Sequence, residues 1–328
     1  MAYKFKVWTD GNREYFQWGT VKDKYDQKLT NKKDFEFTQS LLSLLELNMD
    51  DDYYELTGNM GEMIKALYGK PDGSGDTFNL HRAFDSLARK HIFFEFVRID
   101  WIDKIDRYER KDFEGDVDRL MWYKDITWIP STIGTWQSQI KELLTKALDG
   151  TERTKTVQKA MADLYKGYDG SLGLFGFQPL STAFERMGSD TMAEVLYPRS
   201  MRDIVDFLLR EIVRREVTFK PCKNCGKYFA STVHGNTEFC NRPFQDSGKT
   251  CREIGSLAKW REKVEQSPAM KAYNKAYKTR FSRIRAGKIT REIFQEWAAK
   301  AREYRDLVMD DKMKLEDFQA WLDSGRWV

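Results

Sequence analysis

Residues 221–229 read Pro-Cys-Lys-Asn-Cys-Gly-Lys-Tyr-Phe, and this short segment decides how the C-terminal third of the chain folds. Its two cysteines are separated by two residues and are followed at once by Gly226. That spacing lets two thiolates converge on one ion, and the glycine permits the positive backbone angle that such a turn needs. The four cysteines of the chain are Cys222, Cys225, Cys240 and Cys251.

The spacing of the cysteines predicts one structural zinc site. Four thiolates in a tetrahedron close the coordination sphere of zinc and leave no position for a substrate. Zinc would also supply folding energy that a polar loop segment cannot obtain from a core of its own. Three alternatives stay open: buried free cysteines, a redox-active Cys-x2-Cys pair, and an iron–sulfur cluster, which uses the same ligands. His234 is interpreted as a loop residue, since a fourth cysteine is at hand.

The segment 219–261 resembles a known arrangement. Phe219 precedes the first cysteine pair, Phe239 precedes the third cysteine, and Arg252 follows the fourth at the start of a basic helix. In these features the segment is similar to the CGNR-type zinc fingers. It is more similar still to an uncharacterised bacterial family with the same cysteine segments and a helical tail. The first resemblance implies a DNA-binding transcriptional regulator, and the second implies no established activity.

Length and composition limit the classes of protein to which the chain can belong. Its 328 residues exceed what one compact core usually holds, which predicts two domains or more. Hydrophobic residues make up 41% and aromatic residues 14%, which is enough to bury a core. No run of about 18 apolar residues and no apolar stretch after Met1 occur, so we expect no membrane span and a cytoplasmic location.

The charges are distributed unevenly along the chain. From residue 215 onward there are 24 Lys and Arg against 15 Asp and Glu, a net charge of +9. The residues before it hold 31 basic against 36 acidic side chains, a net charge of −5. Such a division indicates either that one part faces a polyanion or that the two parts face each other.

Residues 1–199 are predicted to form a mainly helical domain that begins with a β-hairpin. Apolar and polar residues alternate in residues 3–7 and again in 16–18, on either side of a turn at 10–12. From residue 34 the apolar period becomes helical. Helical patterns follow at 41–47, 59–68, 78–98, 136–149 and 154–166, with loops at 69–76 and 167–179.

A further helix is predicted to connect this domain to the zinc module. Ser200 can cap it, Asp203 lies in its first turn, and Pro221 is expected to end it. The chain then divides into a connecting helix at 200–218, a four-cysteine zinc module at 219–261, and a basic helix with a two-copy helical tail at 262–328. The fold class that results is mainly α.

The basic helix is predicted to span residues 268–286. Ser267 and Pro268 are a favoured helix start, and Gly287 is a plausible stop. Residues 267–291 contain no acidic side chain, whereas ordinary solvated helices mix both signs. The candidate phosphate contacts of this helix are Lys271, Lys275, Lys278, Arg280, Arg283 and Arg285.

Aromatic residues give the basic helix a second face. Tyr273, Tyr277 and Phe281 are spaced by four, so they form a stripe that we expect to dock on the zinc module. Cations near the zinc ligands could extend the phosphate-binding surface. They are Lys223, Lys227, Arg242, Lys249 and Arg252. The alternative interpretation is a solvated face whose charges pair with the acidic N-terminal domain.

A short internal repeat follows the basic helix. Residues 288–297 align with residues 312–321, with Lys, Glu, Phe, Gln and Trp at matching positions. A Phe and a Trp three residues apart share a helix face, so each copy is predicted to dock an aromatic pair. Simple packing is the favoured interpretation and a partner-binding surface is the alternative. The residues concerned are Phe294, Trp297, Phe318 and Trp321.

The chain offers few signs of catalysis. It contains no P-loop, no dinucleotide fingerprint and no Gly-x-Ser-x-Gly motif, and His81 and His91 fit no metal-binding spacing. The carboxylates of Asp50-Asp51-Asp52 are interpreted as part of a loop. Asp100, Asp103 and Asp106 could bind a metal ion but more simply form a polar helix face, so a metal-dependent nuclease is the weakest hypothesis.

These patterns favour a zinc-containing nucleic-acid-binding protein. DNA is the favoured ligand and RNA stays open, and the protein would be a bacterial regulator or an accessory of mobile elements or phage defence. The competing hypothesis is an adaptor subunit that binds a protein partner, which would itself belong to a larger complex. Salt separates the two hypotheses, because phosphate binding weakens steeply with ionic strength and an aromatic protein interface changes little.

Overall fold

The computed structural model describes residues 3–20, 31–49, 61, 77–122, 124–151, 154–171, 173–188, 191–231 and 237–324. The chain forms two compact units. The first unit comprises Met1–Lys220 and Tyr228–Thr237, and the second comprises Pro221–Lys227 and Glu238–Val328. The division into four segments made from the sequence stays a prediction. None of the helices in the described part of the chain combines the length and apolar character needed to cross a bilayer.

The first unit contains an antiparallel sheet of five strands in the order β3-β2-β1-β5-β4. The strands are β1 (Tyr3–Thr9), β2 (Arg13–Thr20), β3 (Asn31–Glu36), β4 (Thr182–Met187) and β5 (Thr191–Leu196). Strands β1 and β2 form the predicted hairpin, in which Val7 lies opposite Phe16. The carboxylate of Asp10 shapes the turn, since it accepts hydrogen bonds from the amides of Asn12 and Arg13 at 2.8 and 2.7 Å.

The helices of the described part of the first unit share a hydrophobic core with this sheet. They are α1 (Gln39–Leu44), α2 (Thr77–Lys90), α3 (Ile92–Glu109), α4 (Val117–Leu120), α5 (Lys124–Thr127), α6 (Ile129–Lys146), α7 (Val157–Leu164) and α8 (Met201–Arg214). Phe5 and Phe16 of the sheet share one hydrophobic core with Phe93 of α3, Leu143 of α6 and Leu208 of α8. A mainly α fold with an N-terminal hairpin is thereby confirmed.

The helix predicted at residues 78–98 proved to be two helices. His91 is extended at the junction of α2 and α3, where its Nδ1 accepts a hydrogen bond from the amide of Phe93 and caps α3. The prediction was wrong because no glycine or proline marks this break. The predicted helix at 59–68 and loop at 69–76 lie outside the described residues, apart from Gly61.

Helix α8 begins where the sequence predicts and ends earlier. Ser200 caps it by accepting a hydrogen bond from the amide of Asp203. The helix stops at Arg214, and Glu216 adopts a positive φ of 54° just beyond it. Pro221 therefore does not end this helix; it is the last residue of strand β6 (Thr218–Pro221), which pairs with β7 (Tyr228–Ser231).

In the described residues of the second unit, irregular segments around the cysteines are followed by four helices. After a 3-10 turn at Gln245–Ser247 come α9 (Cys251–Gln266), α10 (Pro268–Arg285), α11 (Arg291–Met309) and α12 (Leu315–Asp323). Ser267 caps α10 and Pro268 occupies its first turn, as predicted. Gly287 has a φ of +66° just beyond α10, so a residue with left-handed freedom follows this helix.

Candidate metal centre

The first cysteine pair lies on a tight turn at residues 222–227. The amide of Cys222 donates to the carbonyl of Lys227 at 2.9 Å, and the amide of Gly226 donates to the carbonyl of Cys222 at 2.8 Å. Gly226 has a φ of +73°, which confirms the positive angle predicted for this position. The turn holds Cys222 and Cys225 on the same side of the backbone, within reach of one ion.

The other two cysteines, Cys240 and Cys251, lie on two separate segments of the backbone. The amide of Cys240 donates to the sulfur of Cys222 at 3.4 Å, which ties its segment to the turn. Cys251 is the first residue of α9, and its amide donates to the carbonyl of Arg242 at 2.9 Å. Thr250 and Glu253 form a reciprocal capping box that fixes the start of this helix. The position of Cys251 is therefore set by the cap of α9.

The four sulfur atoms form one compact group. All of them lie within 4.8 Å of one another, and the sulfurs of Cys225 and Cys240 are 3.7 Å apart. A tetrahedron with zinc–sulfur bonds of about 2.3 Å has edges of about 3.8 Å. Cys222, Cys240 and Cys251 are buried and Cys225 is partly exposed. The group can hold one metal ion without leaving a position for a substrate.

The protonation of these thiols also favours a bound cation. Burial opposes ionisation of Cys222, yet hydrogen bonds from the backbone amides of Cys240, Cys225 and Asn224 lower the pKa of this thiol to about 7. Burial raises the pKa of Cys240 to about 12, and the neighbouring thiols add to the rise. Four thiolates this close together repel one another, so all four ionise together only around a positive ion.

The alternatives to a single-ion site have less support. An iron–sulfur cluster distributes its cysteines over several irons, which requires the sulfurs to be further apart than the edge of a one-ion tetrahedron. A redox pair would leave the other two cysteines without a role. His234 lies outside the described residues. The shape of the group agrees with one four-coordinate ion.

The carboxylates considered as metal ligands do not form such a group. Among the described residues, the four cysteines are the one set of three or more ligand side chains that comes together. The carboxylate of Asp100 forms an ion pair with the ammonium group of Lys104, 2.9 Å away. His91 is buried against the carbonyl of Ser40, at 2.9 Å. Asp50-Asp51-Asp52 lies outside the described residues, and the nuclease hypothesis gains no support.

A packing contact beside the cysteines was not predicted from the sequence. Gly255 lies in the second turn of α9 and is buried against the ring of Phe239. A β-carbon built on Gly255 would lie 2.3 Å from this ring, closer than any real contact. The glycine is thus required by the close approach of the Cys240 segment to the helix that carries Cys251. A small residue four positions after a ligand was the only signal available.

The cations predicted around the ligands are in different environments. Lys223 pairs with Glu238 at 3.2 Å, and Lys259 of α9 pairs with the same carboxylate. Arg242 is half-buried, whereas Lys249 and Arg252 are exposed. Lys227 is exposed on the turn. Lys223 and Lys259 therefore share one carboxylate, and the exposed cations lie on the turn and near the start of α9.

The basic helix presents most of its predicted cations to solvent. Lys271, Lys275, Lys278 and Arg285 are exposed and Arg283 is half-buried. Within the described part of the chain none of these five side chains forms an ion pair. Arg280 differs, since it is buried beneath the surface with its guanidinium 4.9 Å from the ring centre of Trp297.

The aromatic stripe of α10 packs against the next helix. Tyr277 lies 5.0 Å and Phe281 5.7 Å from Phe294 of α11, measured between ring centres. The expectation that the stripe docks on the zinc module missed this contact. Its physical cause is the short connection after α10, which brings α11 back along it.

The aromatic residues of the internal repeat lie largely inside the second unit. Phe294, Trp297 and Phe318 are buried in its hydrophobic core. Trp321 is half-buried against Tyr304, with ring centres 4.8 Å apart. These positions agree with the packing interpretation of the repeat.

Comparison with known proteins relates part of the chain to one family. Residues 181–324 match a family of unknown function, DUF6076. The matched part is less than half of the chain, and it includes all four cysteines and the helices α8–α12. No curated protein and no solved structure matches. The likeness to CGNR-type zinc fingers stays a prediction. The segment that carries the cysteines is thus similar to a family for which no activity is known.

Proposed function

We propose that the four cysteines hold a structural zinc ion and that the second unit binds nucleic acid through α10. Zinc is favoured because it accepts four thiolates in a closed tetrahedron and has no redox chemistry that would disturb them. The spacing between the sulfurs of Cys225 and Cys240, 3.7 Å, suits this ion. The role of the metal is to order the segments from which α9 and then α10 continue.

The observation that carries the nucleic-acid hypothesis is the row of cations on α10 that are not neutralised. Lys271, Lys275 and Lys278 occupy successive turns of the helix and are exposed. No acidic residue occurs between Ser267 and Arg291 to balance them. A helix that keeps several positive charges apart from any carboxylate has the electrostatic character of a phosphate-binding surface.

The test replaces Lys271, Lys275 and Lys278 together with Glu in the full-length protein. Binding of mixed DNA and RNA duplexes and single strands is measured at several salt concentrations. Each lost phosphate contact should reduce the slope of log affinity against log salt by about one. A control carries the same charge reversal at Lys141, Lys159 and Lys166 of the first unit and should bind like the wild type. Wild-type affinity in the α10 variant would refute the hypothesis.

A second candidate function is an adaptor that binds another protein through α9. Leu257 and Trp260 are 45% and 44% exposed on this helix, three residues apart and therefore on one face. Large apolar side chains exposed together mark interaction surfaces more often than single ones do. Binding through this face would change little with salt and would be lost in Trp260→Ala, whereas the α10 variant would retain it.

A further inference from the structure

A cleft of 450 Å³ lies between α10 and α12. Helix α10 lines it with Lys275, Thr279, Arg280 and Arg283, and α12 lines it with Gln319 and Asp323. Lys275, Thr279 and Arg283 are spaced by four, so they stand above one another along one side of the helix. The small side chains of two alanines of α10 leave the space beside them open.

The groups around this cleft are unusual for a solvated surface. Among the described residues that line it, three cations face the carboxylate of Asp323, which leaves these side chains with a net charge of +2. Thr279 and Gln319 add neutral hydrogen-bond donors. The cleft is therefore polar, positively charged and concave, which are the properties expected of an anion-binding site.

Arg280 is the buried side chain of this cleft, and its guanidinium is held in place by the surrounding residues. Its side chain is 6% exposed, and its Nη2 donates to the carbonyl of Leu322 at 3.4 Å. Together with the indole of Trp297 below it, this contact holds the guanidinium plane in one orientation. Burial lowers the pKa of Arg280, and the nearby positive charge of Arg283 lowers it further. An anion in the cleft would relieve both costs.

The charge of the cleft selects among anions. A phosphomonoester carries a charge of about −1.5 to −2 near neutral pH, which balances the net charge of the lining, whereas a phosphodiester carries only one negative charge. A guanidinium fork also matches two phosphate oxygens at once. A group that enters a cleft between two helices must project from the molecule to which it is attached. The phosphate at the end of a nucleic-acid strand projects in this way, whereas the phosphates inside a duplex do not.

We propose that this cleft binds a terminal phosphate, with Arg280 as the fixed cation and Lys275 and Arg283 as the cations that close on it. The inference rests on the proposed function, because it names the part of a nucleic-acid strand that the second unit holds. Asp323 sets the limit on affinity, since its carboxylate repels the ligand. A free phosphate has the same chemistry as a strand end, and the experiment separates the two sources.

The experiment uses the full-length protein and one oligonucleotide made with either a 5′-phosphate or a 5′-hydroxyl. Fluorescence anisotropy gives the affinity for each strand, and calorimetry gives the affinity for inorganic phosphate. The wild type should bind the phosphorylated strand about tenfold to a hundredfold more tightly, the range expected for charge-assisted hydrogen bonds. Inorganic phosphate should compete with the phosphorylated strand only.

Variants identify the cleft as the site. Lys275→Gln with Arg283→Gln should abolish the preference for the phosphorylated strand. Lys271→Gln with Lys278→Gln, the matched control on the same helix, should keep it. Asp323→Asn should strengthen it severalfold, a gain that a damaged fold cannot produce. Arg280 is left unchanged because its loss would disturb the packing of Trp297, and circular dichroism verifies that each variant is folded.

The outcomes separate this inference from the proposed function. Equal affinity for the two strands in the wild type, with no binding of inorganic phosphate, would overturn the inference and leave nucleic-acid binding intact. An equal loss of the preference in the control pair would overturn it as well. If neither strand binds but inorganic phosphate binds to the wild type and not to the cleft variant, the proposed function fails, and the cleft is a site for free phosphate, which overturns its assignment to a strand end.

Discussion

The first unit and the cysteine segments of the second unit differ in the side chains that they bury. The first unit buries Phe16, Phe93 and Leu143 in one hydrophobic core that joins the sheet to its helices. In the second unit, residues 221–227 and 238–251 have three buried side chains, and all three are cysteines. Segments that bury so few apolar side chains need another source of folding energy. A metal ion held by the four cysteines would take the place of a core in this part of the chain.

Removal of the metal should have the largest effect. Structural zinc contributes on the order of 10 kcal/mol of apparent binding free energy in small zinc modules, so a chelator or Cys251→Ala should unfold the cysteine segments. Hydrogen exchange resolved by region is the measurement. The amides of Gly226 and Cys240 should exchange rapidly, and those of β1 and β2 should stay protected.

The reciprocal test is a substitution in the hydrophobic core of the first unit. Phe93→Ala removes a fully buried ring from the core of the first unit and should cost about 3–5 kcal/mol of unfolding free energy. Metal content, measured by elemental analysis, should remain at one ion per chain. Loss of metal in Phe93→Ala, or loss of protection in β1 and β2 on chelation, would show that the two units do not have separate sources of stability.

The next effect is the pH dependence of the stability of the first unit. Glu14 is buried, its Oε1 accepts a hydrogen bond from the amide of Ser40, and burial raises its pKa to about 7. A raised pKa stabilises the fold below pH 4.5, and this stabilisation is lost as the pH rises through 7. His91 acts oppositely, because burial lowers its pKa to about 4 and its contribution is lost as the pH falls through 4.

Glu14→Gln should therefore separate the two contributions. In the wild type they largely cancel between about pH 4.5 and 6.5. In the variant the unfolding free energy of the first unit should rise with pH across this window. Above pH 7 it should exceed that of the wild type by about 3 kcal/mol, since the shift in the pKa of Glu14 is worth that much. Denaturant titrations at several pH values measure this, and identical pH profiles would contradict it.

Features with a local cause could be predicted from the sequence. The alternation in β1 and β2, the caps at Ser200 and Ser267, and the cysteine spacing each depend on residues close together in the chain. Strands β3 and β4 gave no such signal, and the helical period assigned from residue 34 was wrong for residues 34–36, which belong to β3. β3 is polar and mostly exposed, and in β4 Phe184 is 72% exposed while Glu185 forms an ion pair with Lys6 at 2.6 Å. Only the strands that the fold brings together make that arrangement favourable.

In the cleft between α10 and α12, Arg280 is another residue whose environment was not predicted from the sequence. It was grouped with the exposed cations of α10, yet it lies three residues after Tyr277 and four before Ile284, on the side that packs inward. The helical spacing alone was therefore sufficient to predict that Arg280 lies on the inward side of α10. Its partner Trp297 belongs to another helix, and no local pattern identifies a ring that accepts a buried guanidinium.

The smallest effect concerns the contact between Gly255 and Phe239, where the position of the cysteine segments depends on packing. Gly255→Ala places a methyl group 2.3 Å from the ring of Phe239, so the segment that carries Cys240 must move away from the helix that carries Cys251. Overpacking of this kind costs about 1–3 kcal/mol, and here it should weaken metal binding. Competition with a chelator measures the loss. Phe239→Leu in the same chain should restore part of the affinity by vacating the space. If Gly255→Ala binds metal as tightly as the wild type, the four thiolates alone position the two segments, and packing contributes nothing to the site.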